Sequence, residues 1–270
     1  MNRSWMGRLR TRLVASGLVL IALPVLLAAG PVLPAGNEKP GAEGAPVVDK
    51  QADALLHKMG DTLRQAKAFK FHAEITFDDV LPSGQKIQYA GAMQAFVRRP
   101  DRMYVAYQDD LSAKEFWYDG KTATLVDIPH NVYSSVKAGS QIDSALDGLV
   151  ADYALTLPLS HLAYSQPYDS MMKQVRYGID LGTHDVGGIA CRHLAFVQKN
   201  ADWQIWIEEG NPVVPRKVVI TYKTLPGAPQ YSATFTGWDL KAKLADGEFA
   251  AVVPKDASQI EFIKVKEAGR

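Results

Sequence analysis

Two apolar segments joined by a turn decide the fold. The first segment reads Asp202-Trp203-Gln204-Ile205-Trp206-Ile207-Glu208, the turn reads Glu209-Gly210-Asn211-Pro212, and the second segment reads Val213-Val214-Pro215-Arg216-Lys217-Val218-Val219-Ile220-Thr221-Tyr222-Lys223. Both arms are rich in β-branched and aromatic residues, and turn residues lie between them, so the stretch predicts a β-hairpin. Because strand side chains alternate, Trp203, Ile205 and Ile207 share one apolar face. That face needs a cover, which is a helix, a second sheet or a ligand.

The second arm offers two sets of side chains to pair with this apolar face. Val218 and Ile220 point to one face of this strand, whereas Val219 and Thr221 point to the other. Pairing in an antiparallel sheet should place one of these sets beside the tryptophan face.

The same kind of apolar segment recurs on both sides of the hairpin and predicts about 11 strands in total. The predicted strands are residues 69–77, 86–97, 102–107, 114–118, 122–128, 132–136, 175–181, 189–198, 202–208, 213–223 and 230–240. Most are joined by short turns, such as Asp119-Gly120, and no strand–helix–strand alternation occurs. The sheet is therefore predicted to be antiparallel.

Two regions have helical rather than strand periodicity. Residues 49–68 place apolar side chains at helical spacing after Asp49, which can cap a helix. A second helix is expected after Gly139, followed by shorter helical pieces at 157–164 and 168–173. The predicted fold class is mainly β (α+β), a curved antiparallel half-barrel sheet with an N-terminal helix and a mid-chain helical plug.

The amino-terminal residues carry an export signal rather than part of the fold. Residues 1–35 combine basic residues, an apolar run and small residues, which is typical of a secretory signal peptide. An uncleaved anchor helix is the alternative. No cysteine lies near the cleavage region, so lipoprotein acylation is not expected. Residues 36–48 are predicted to be a disordered spacer, and residues 49–270 to form a single domain.

Charge and cysteine content narrow the function classes. Residues 1–35 contain four arginines and no acidic residue, so 26 basic and 29 acidic residues remain after cleavage, a net charge of −3. This balance gives no electrostatic reason to bind nucleic acid. The single cysteine, Cys191, excludes an internal disulfide.

The familiar catalytic motifs are absent from the sequence, which contains no G-x-S-x-G, no phosphate-binding glycine loop, no H-E-x-x-H and no C-x-x-C. One weak candidate remains. Cys191 and His193 lie two apart on a strand and face the same way, with His184 nearby, so they could form a nucleophile pair or a metal site. A buried, inert thiol is the alternative. We expect no enzyme activity, no cofactor and no metal.

The aromatic and aliphatic side chains of the strands form the stronger candidate site. A curved sheet gathers one face of each strand into a concavity, and the helices at 140–173 could cover it as a gate. The alternative is that the helices fill the space completely. The candidate cavity residues are Phe96, Tyr104, Phe116, Trp203, Ile205, Ile207, Tyr222 and Phe235.

Several short motifs resemble the LolA/LolB-type fold of periplasmic lipoprotein carriers. They are Arg99-Pro100-Asp101-Arg102, Tyr118-Asp119-Gly120-Lys121, Trp206-Ile207-Glu208 followed by Pro215-Arg216, and Gly247-Glu248-Phe249 followed by Pro254. More closely, the chain is similar to an uncharacterised family of predicted periplasmic proteins of that fold. Its members share stretches like Cys191–Phe196 and Trp203–Glu208.

The resemblance implies a periplasmic, non-enzymatic protein that holds a lipid, an acyl chain or another apolar ligand in the half-barrel. Its expected partners are an apolar small molecule or a lipoprotein acyl chain, with transient membrane contact compatible with that role. The first alternative is a protein-interaction or sensor module of the envelope with a closed cavity. The second is a thiol enzyme or metal site at Cys191 and His193.

Overall fold

The computed structural model describes residues 46–265 of the 270-residue chain. The predicted signal peptide and residues 36–45 of the predicted spacer lie outside the described residues. None of the helices among the described residues is long and apolar enough to cross a membrane.

One curved, open sheet of 13 strands dominates the fold. The strands are β1 (Val47–Val48), β2 (Ala68–Val80), β3 (Lys86–Arg98), β4 (Arg102–Asp109), β5 (Ala113–Tyr118), β6 (Thr122–Asp127), β7 (Val132–Lys137), β8 (Val175–Val186), β9 (Ile189–Gln198), β10 (Ala201–Glu208), β11 (Val214–Tyr222), β12 (Gln230–Asp239) and β13 (Ser258–Gln259). Their order is β1-β8-β9-β10-β11-β12-β2-β3-β4-β5-β6-β7-β13.

The eleven predicted strands are all present, and the sheet has two further short strands, β1 and β13. β1 pairs with β8, and β13 pairs with β7, each in parallel, while the pairs among the other eleven are antiparallel. Because β1 includes Val47 and Val48, the predicted spacer ends before Val47. Gly178 of β8 leaves room for side chains from both neighbouring strands, since a Cβ there would lie 3.0 Å from Val48 Cγ1 of β1 and 2.7 Å from the Phe196 ring of β9.

The hairpin around residues 202–223 is confirmed as β10 and β11. Trp203 pairs with Ile220, and Ile205 pairs with Val218, so the Val218 and Ile220 set lies beside the tryptophan face. Trp203, Ile205 and Ile207 are all buried. They face the concave side of the sheet, where the main core lies.

The first helix, α1 (Lys50–Gln65), covers part of this concave face. The Asp49 carboxylate accepts hydrogen bonds from the backbone N–H groups of Gln51 and Ala52, at 2.7 and 3.2 Å, and so caps the helix as predicted. The buried stripe of α1 includes Leu56, Met59 and Leu63. The helix packs against β8, β10, β11 and the last helix of the segment between β7 and β8.

The insertion between β7 and β8 is less helical than predicted. It contains α2 (Ile142–Tyr153), a single 3-10 turn at Ser160–Leu162 and α3 (Pro167–Met172). The predicted helical piece at 157–164 is therefore corrected to an irregular segment around that turn, because Pro158 disfavours helix at the residue before it. Since β7 and β8 are on opposite sides of the sheet order, the insertion spans the open side of the half-barrel.

Candidate functional site

A cavity of about 240 Å³ lies between the concave face of β10 and β11 and the insertion. We call it the main cavity. Its sheet wall consists of Gln198, Ala201, Trp203, Ile205, Val218, Ile220 and Tyr222, and its other wall of residues 156–162 with Met171.

The sheet wall is apolar because of the strand register. Trp203 and Ile205 point the same way on β10, and their partners Ile220 and Val218 continue that surface on β11. The Trp203 ring stacks on Phe196 of β9, with ring centroids 4.1 Å apart. This contact fixes the position of one aromatic wall of the cavity.

The opposite wall is a segment that we call the strap, residues 155–163. It follows α2 after Ala154, which has a left-handed backbone with φ 51°, and Leu159 within it has φ 64°. Positive φ is uncommon for residues other than glycine. Arg99 fixes the end of the strap, since its guanidinium donates a hydrogen bond of 2.6 Å to the carbonyl of Ala163. Burial lowers the pKa of Arg99 to about 10.

A small cavity of about 50 Å³ lies on the other side of the strap. Thr156, Leu157 and Pro158 line both cavities, so these three residues form the partition between them. The remaining lining comes from β3 to β6. It consists of Met93, Val105, Tyr107, Lys114, Phe116 and Leu125.

The polar groups around the main cavity are uncharged or hydrogen-bonded. Burial raises the pKa of Tyr222 to about 12. The Gln198 amide donates to the carbonyl of Lys173 at 2.9 Å, and the Nδ1 atom of His161 lies 2.6 Å from the Ser170 hydroxyl. No carboxylate, lysine or arginine is among the described residues that line this cavity.

A buried ion pair lies beside the small cavity. Lys114 Nζ is 3.4 Å from Asp127 Oδ2, and both side chains are almost fully buried on the concave face. His130 Nδ1 lies 2.8 Å from the other carboxylate oxygen of Asp127. Although burial raises the pKa of Asp127, the hydrogen bond with His130 and the charge of Lys114 lower it overall.

Residues 52–263 match a family described as "Predicted periplasmic protein (DUF2092)". The chain belongs to this family. The resemblance to a family of predicted periplasmic proteins is thereby confirmed, and the family description agrees with the predicted periplasmic location. No curated protein matches the chain.

Solved structures that match this DUF2092 chain have low sequence identity to it. They include an uncharacterized conserved protein from Thermus thermophilus, with 10% identity and a TM-score of 0.46, covering 78% of this chain and 99% of that one. LprF from Mycobacterium bovis has 12% identity and a TM-score of 0.40, and the match covers 80% of this chain and 100% of that one. The LolA superfamily protein NE2245 from Nitrosomonas europaea has 10% identity and a TM-score of 0.37, and the match covers 74% of this chain and 97% of that one.

The structure brings together three of the eight predicted cavity residues in the main cavity. Trp203, Ile205 and Tyr222 line it, whereas Phe116 lines the small cavity across the strap. Ile207 and Phe235 face the same concave side but are fully buried in the core, and neither is among the lining residues.

The other two predicted residues are corrected, because Phe96 and Tyr104 lie on the convex face. Ala95 and Val97 point into the core, so Phe96 between them must point outwards, and Tyr104 is its cross-strand partner. Both pack against Ala242, Leu244 and Phe249 of the carboxy-terminal segment.

Sequence reasoning missed the polar members of the concave face. Tyr107 and Lys114 lie opposite each other on β4 and β5, and Tyr231 on β12 is fully buried. The alternation of side chains along β5 could have placed Lys114 on the concave face, since it points to the same side of the strand as Phe116 and Tyr118. A lysine at such a position suggests a surface residue unless its buried partner Asp127 is known.

Cys191 and His193 lie on the convex face and make separate contacts. The Cys191 thiol is buried and donates to the carbonyl of Ile189 at 3.4 Å, and burial raises its pKa. His193 instead stacks on Trp206 and lies 3.0 Å from His184, measured between the two Nδ1 atoms. Among the described residues, no group of three or more His, Cys, Asp or Glu side chains could hold a metal ion.

Proposed function

We propose that the protein is a non-enzymatic periplasmic binding protein that holds an acyl chain or another apolar ligand in the main cavity. The observation that carries this proposal is the largely apolar, partly open cavity of about 240 Å³ between β10, β11 and the strap. A concave, mostly apolar site with a few polar groups is the usual form of a small-molecule binding site.

The main cavity is partly open to solvent, and most of its lining is apolar. An apolar ligand in this space would remove lining surface from water, which is favourable by about 25 cal/mol per Å² of apolar surface buried.

The size of the main cavity limits what can bind to the protein as it stands. An engineered apolar cavity of about 150 Å³ holds benzene, and pockets for drug-sized ligands begin at about 300 Å³. A volume of about 240 Å³ therefore suits a single ring or a short chain. A longer acyl chain requires the strap to move and join the main cavity to the small one.

The first prediction concerns filling the main cavity from its sheet wall. Ile205→Trp should leave the thermal stability nearly unchanged, because the larger ring enters the void, and should abolish binding of a fluorescent fatty-acid probe. The measurement is a probe titration together with thermal unfolding of the wild type and the variant. Mass spectrometry of an organic extract of the purified protein would identify a ligand that is retained from the cell.

Ile75→Trp is the matched control, since Ile75 is 1% exposed on the same concave face and does not line the cavity. It should overpack the core and cost about 1–3 kcal/mol. A similar stability loss for Ile205→Trp, or unchanged probe binding, would contradict the cavity proposal and favour the protein-interaction alternative.

A further inference from the structure

Three polar side chains of the main cavity lie at its outer end, and we call them the polar corner. They are His161, Gln198 and Tyr222, which all line the cavity. Tyr222 pairs with Ala201, the first residue of β10, so it lies at the end of the sheet wall. The opposite end is apolar, and Ile205 there is only 1% exposed. A ligand with a single polar end is therefore expected to place that end at the polar corner.

Hydrogen bonds connect the polar corner to the end of α3. His161 Nδ1 lies 2.6 Å from the hydroxyl of Ser170, the residue before Met171. The Gln198 amide donates to the carbonyl of Met171 at 3.5 Å and to that of Lys173 at 2.9 Å. Both polar side chains are therefore held at the same end of α3. Lys173 follows this helix directly, so it begins beside the outer end of the cavity.

Positive charge predominates around the polar corner. Lys223 Nζ donates to the carbonyl of Gln198 at 2.7 Å, and its charge is balanced by Asp202 Oδ1, also at 2.7 Å. Lys173 and Lys199 are exposed, and Lys199 directly follows Gln198. Within residues 46–265, neither of these two lysines forms an ion pair with a carboxylate. The outer end of the cavity therefore favours an anionic group over a neutral or cationic one.

His161 adds a hydrogen-bond donor to this positive charge. Burial lowers the pKa of His161, and the charge of Lys173 lowers it further, so the ring is neutral at neutral pH. When the Ser170 hydroxyl donates to Nδ1, the ring proton is on Nε2, which has no partner among the described residues. An anion held here also stays out of the apolar end of the cavity, where an isolated carboxylate is expensive to bury.

We infer that the ligand is an anionic amphiphile, a carboxylate on a short apolar chain. The chain occupies the space between Ile205 and the strap. The carboxylate accepts a hydrogen bond from His161 Nε2 and lies next to the ammonium group of Lys173. This inference rests on the proposed function, and it adds that the carboxylate is preferred over a neutral polar group on the same chain.

The test compares octanoate with 1-octanol, two probes of equal chain length, by isothermal titration at neutral pH and low salt. Octanoate should bind more tightly, and its advantage should shrink at about 1 M salt, where the Debye length is about 3 Å. Lys173→Gln should weaken octanoate binding about threefold, the loss expected for an exposed ion pair, and Lys173→Glu about tenfold. Neither variant should change octanol binding. Lys243→Gln, at an exposed position after β12, is the matched control and should bind both probes as the wild type does.

His161→Phe tests the hydrogen-bond donor, since phenylalanine keeps a ring without a nitrogen atom. It should weaken octanoate binding about tenfold and should not weaken octanol binding. If octanol binds but octanoate has no advantage, or if Lys173→Glu or His161→Phe binds octanoate as tightly as the wild type, the polar corner is refuted as a carboxylate site and the proposed function stands. If neither probe binds, the proposed function is refuted and this inference with it.

Discussion

Asp180 and Arg192 connect the first helix to the edge of the sheet. The Arg192 guanidinium donates to both oxygens of the Asp180 carboxylate and also to the side-chain carbonyl of Gln51 in α1, at 3.0 Å. The Asp180 side chain is only 7% exposed. Its hydrogen bonds from Arg192 lower the pKa of Asp180 below its usual value.

The second prediction concerns this ion pair. Asp180→Asn should lower the free energy of unfolding at pH 7 by about 1–3 kcal/mol, because Arg192 loses its charged partner. Since the folded-state pKa of Asp180 is lowered, its contribution is complete above the unfolded-state pKa of about 4 and is lost as the pH falls through the folded-state value. The free energy of unfolding of both proteins is measured by chemical unfolding at a series of pH values between 7 and 3.

The difference between Asp180→Asn and the wild type should therefore shrink on acidification. Asp79→Asn, at an exposed position near the end of β2, provides the control and should match the wild type throughout. A constant stability difference across the pH range would mean that packing, and not the charge of Asp180, is responsible.

Some individual residues of the site could be predicted from sequence, and others could not. Alternation along β10 places Trp203, Ile205 and Ile207 together, because their neighbours on the strand are more polar. Phe96 differs, since it lies among apolar residues on both sides, and alternation alone does not say which face points inwards.

At the level of elements, the end of α2 is unusual because its terminating residue is not glycine. Ala154 has a left-handed conformation, and its N–H donates to the carbonyls of Leu149 and Val150. A left-handed backbone brings Cβ too close to the next carbonyl oxygen, at a cost of about 1–2 kcal/mol. The strap begins at the next residue, so this end of the helix directs the strap into the concavity.

The third prediction follows from that conformation. Ala154→Gly should raise the free energy of unfolding by about 0.5–1 kcal/mol, because glycine adopts positive φ without steric strain. Ala151→Gly, an exposed substitution inside α2, is the matched control and should lower it by about 1 kcal/mol. Chemical unfolding measures both, and equal losses in the two variants would contradict the argument.

The strands could be predicted from sequence more fully than the insertion. Alternating apolar residues bounded by turns located eleven strands, because that pattern is local. β1 and β13 contain only two residues each and have no pattern of their own. The strap could not be predicted either, since its path is set by contacts with the sheet and by Arg99 rather than by periodicity.

At the scale of the whole molecule, the topology explains why the strap lies across the concave face of the sheet. The sheet begins and ends at β8 and β7, apart from the two short strands that pair with them. The insertion connects these two edges and must therefore cross the open side. In doing so the strap divides the concave space, and Leu157 is one of three residues that line both parts.

The fourth prediction concerns this partition. Leu157→Ala should join the main and small cavities and shift the preferred acyl chain to a greater length. Because Leu157 is only half-buried, its truncation should cost less than the about 2–5 kcal/mol typical of a buried leucine. The measurement is the affinity of a series of ligands that differ only in chain length.

Leu155→Ala provides the comparison within the strap, since Leu155 is 4% exposed and lines neither cavity. It should cost more stability and leave the preferred chain length as in the wild type. An unchanged chain-length profile for Leu157→Ala would mean that the two cavities do not act as one site.

The carboxy-terminal strand has a consequence for how the protein avoids aggregation. β13 and its flanking residues cover the free edge of β7, with hydrogen bonds from Ser258 and Ile260 to the backbone of Asn131 and Tyr133. An uncovered edge strand is a template for pairing with other chains. Proteolytic loss of the segment after Phe249 would uncover this edge and leave a molecule that is prone to edge-to-edge association.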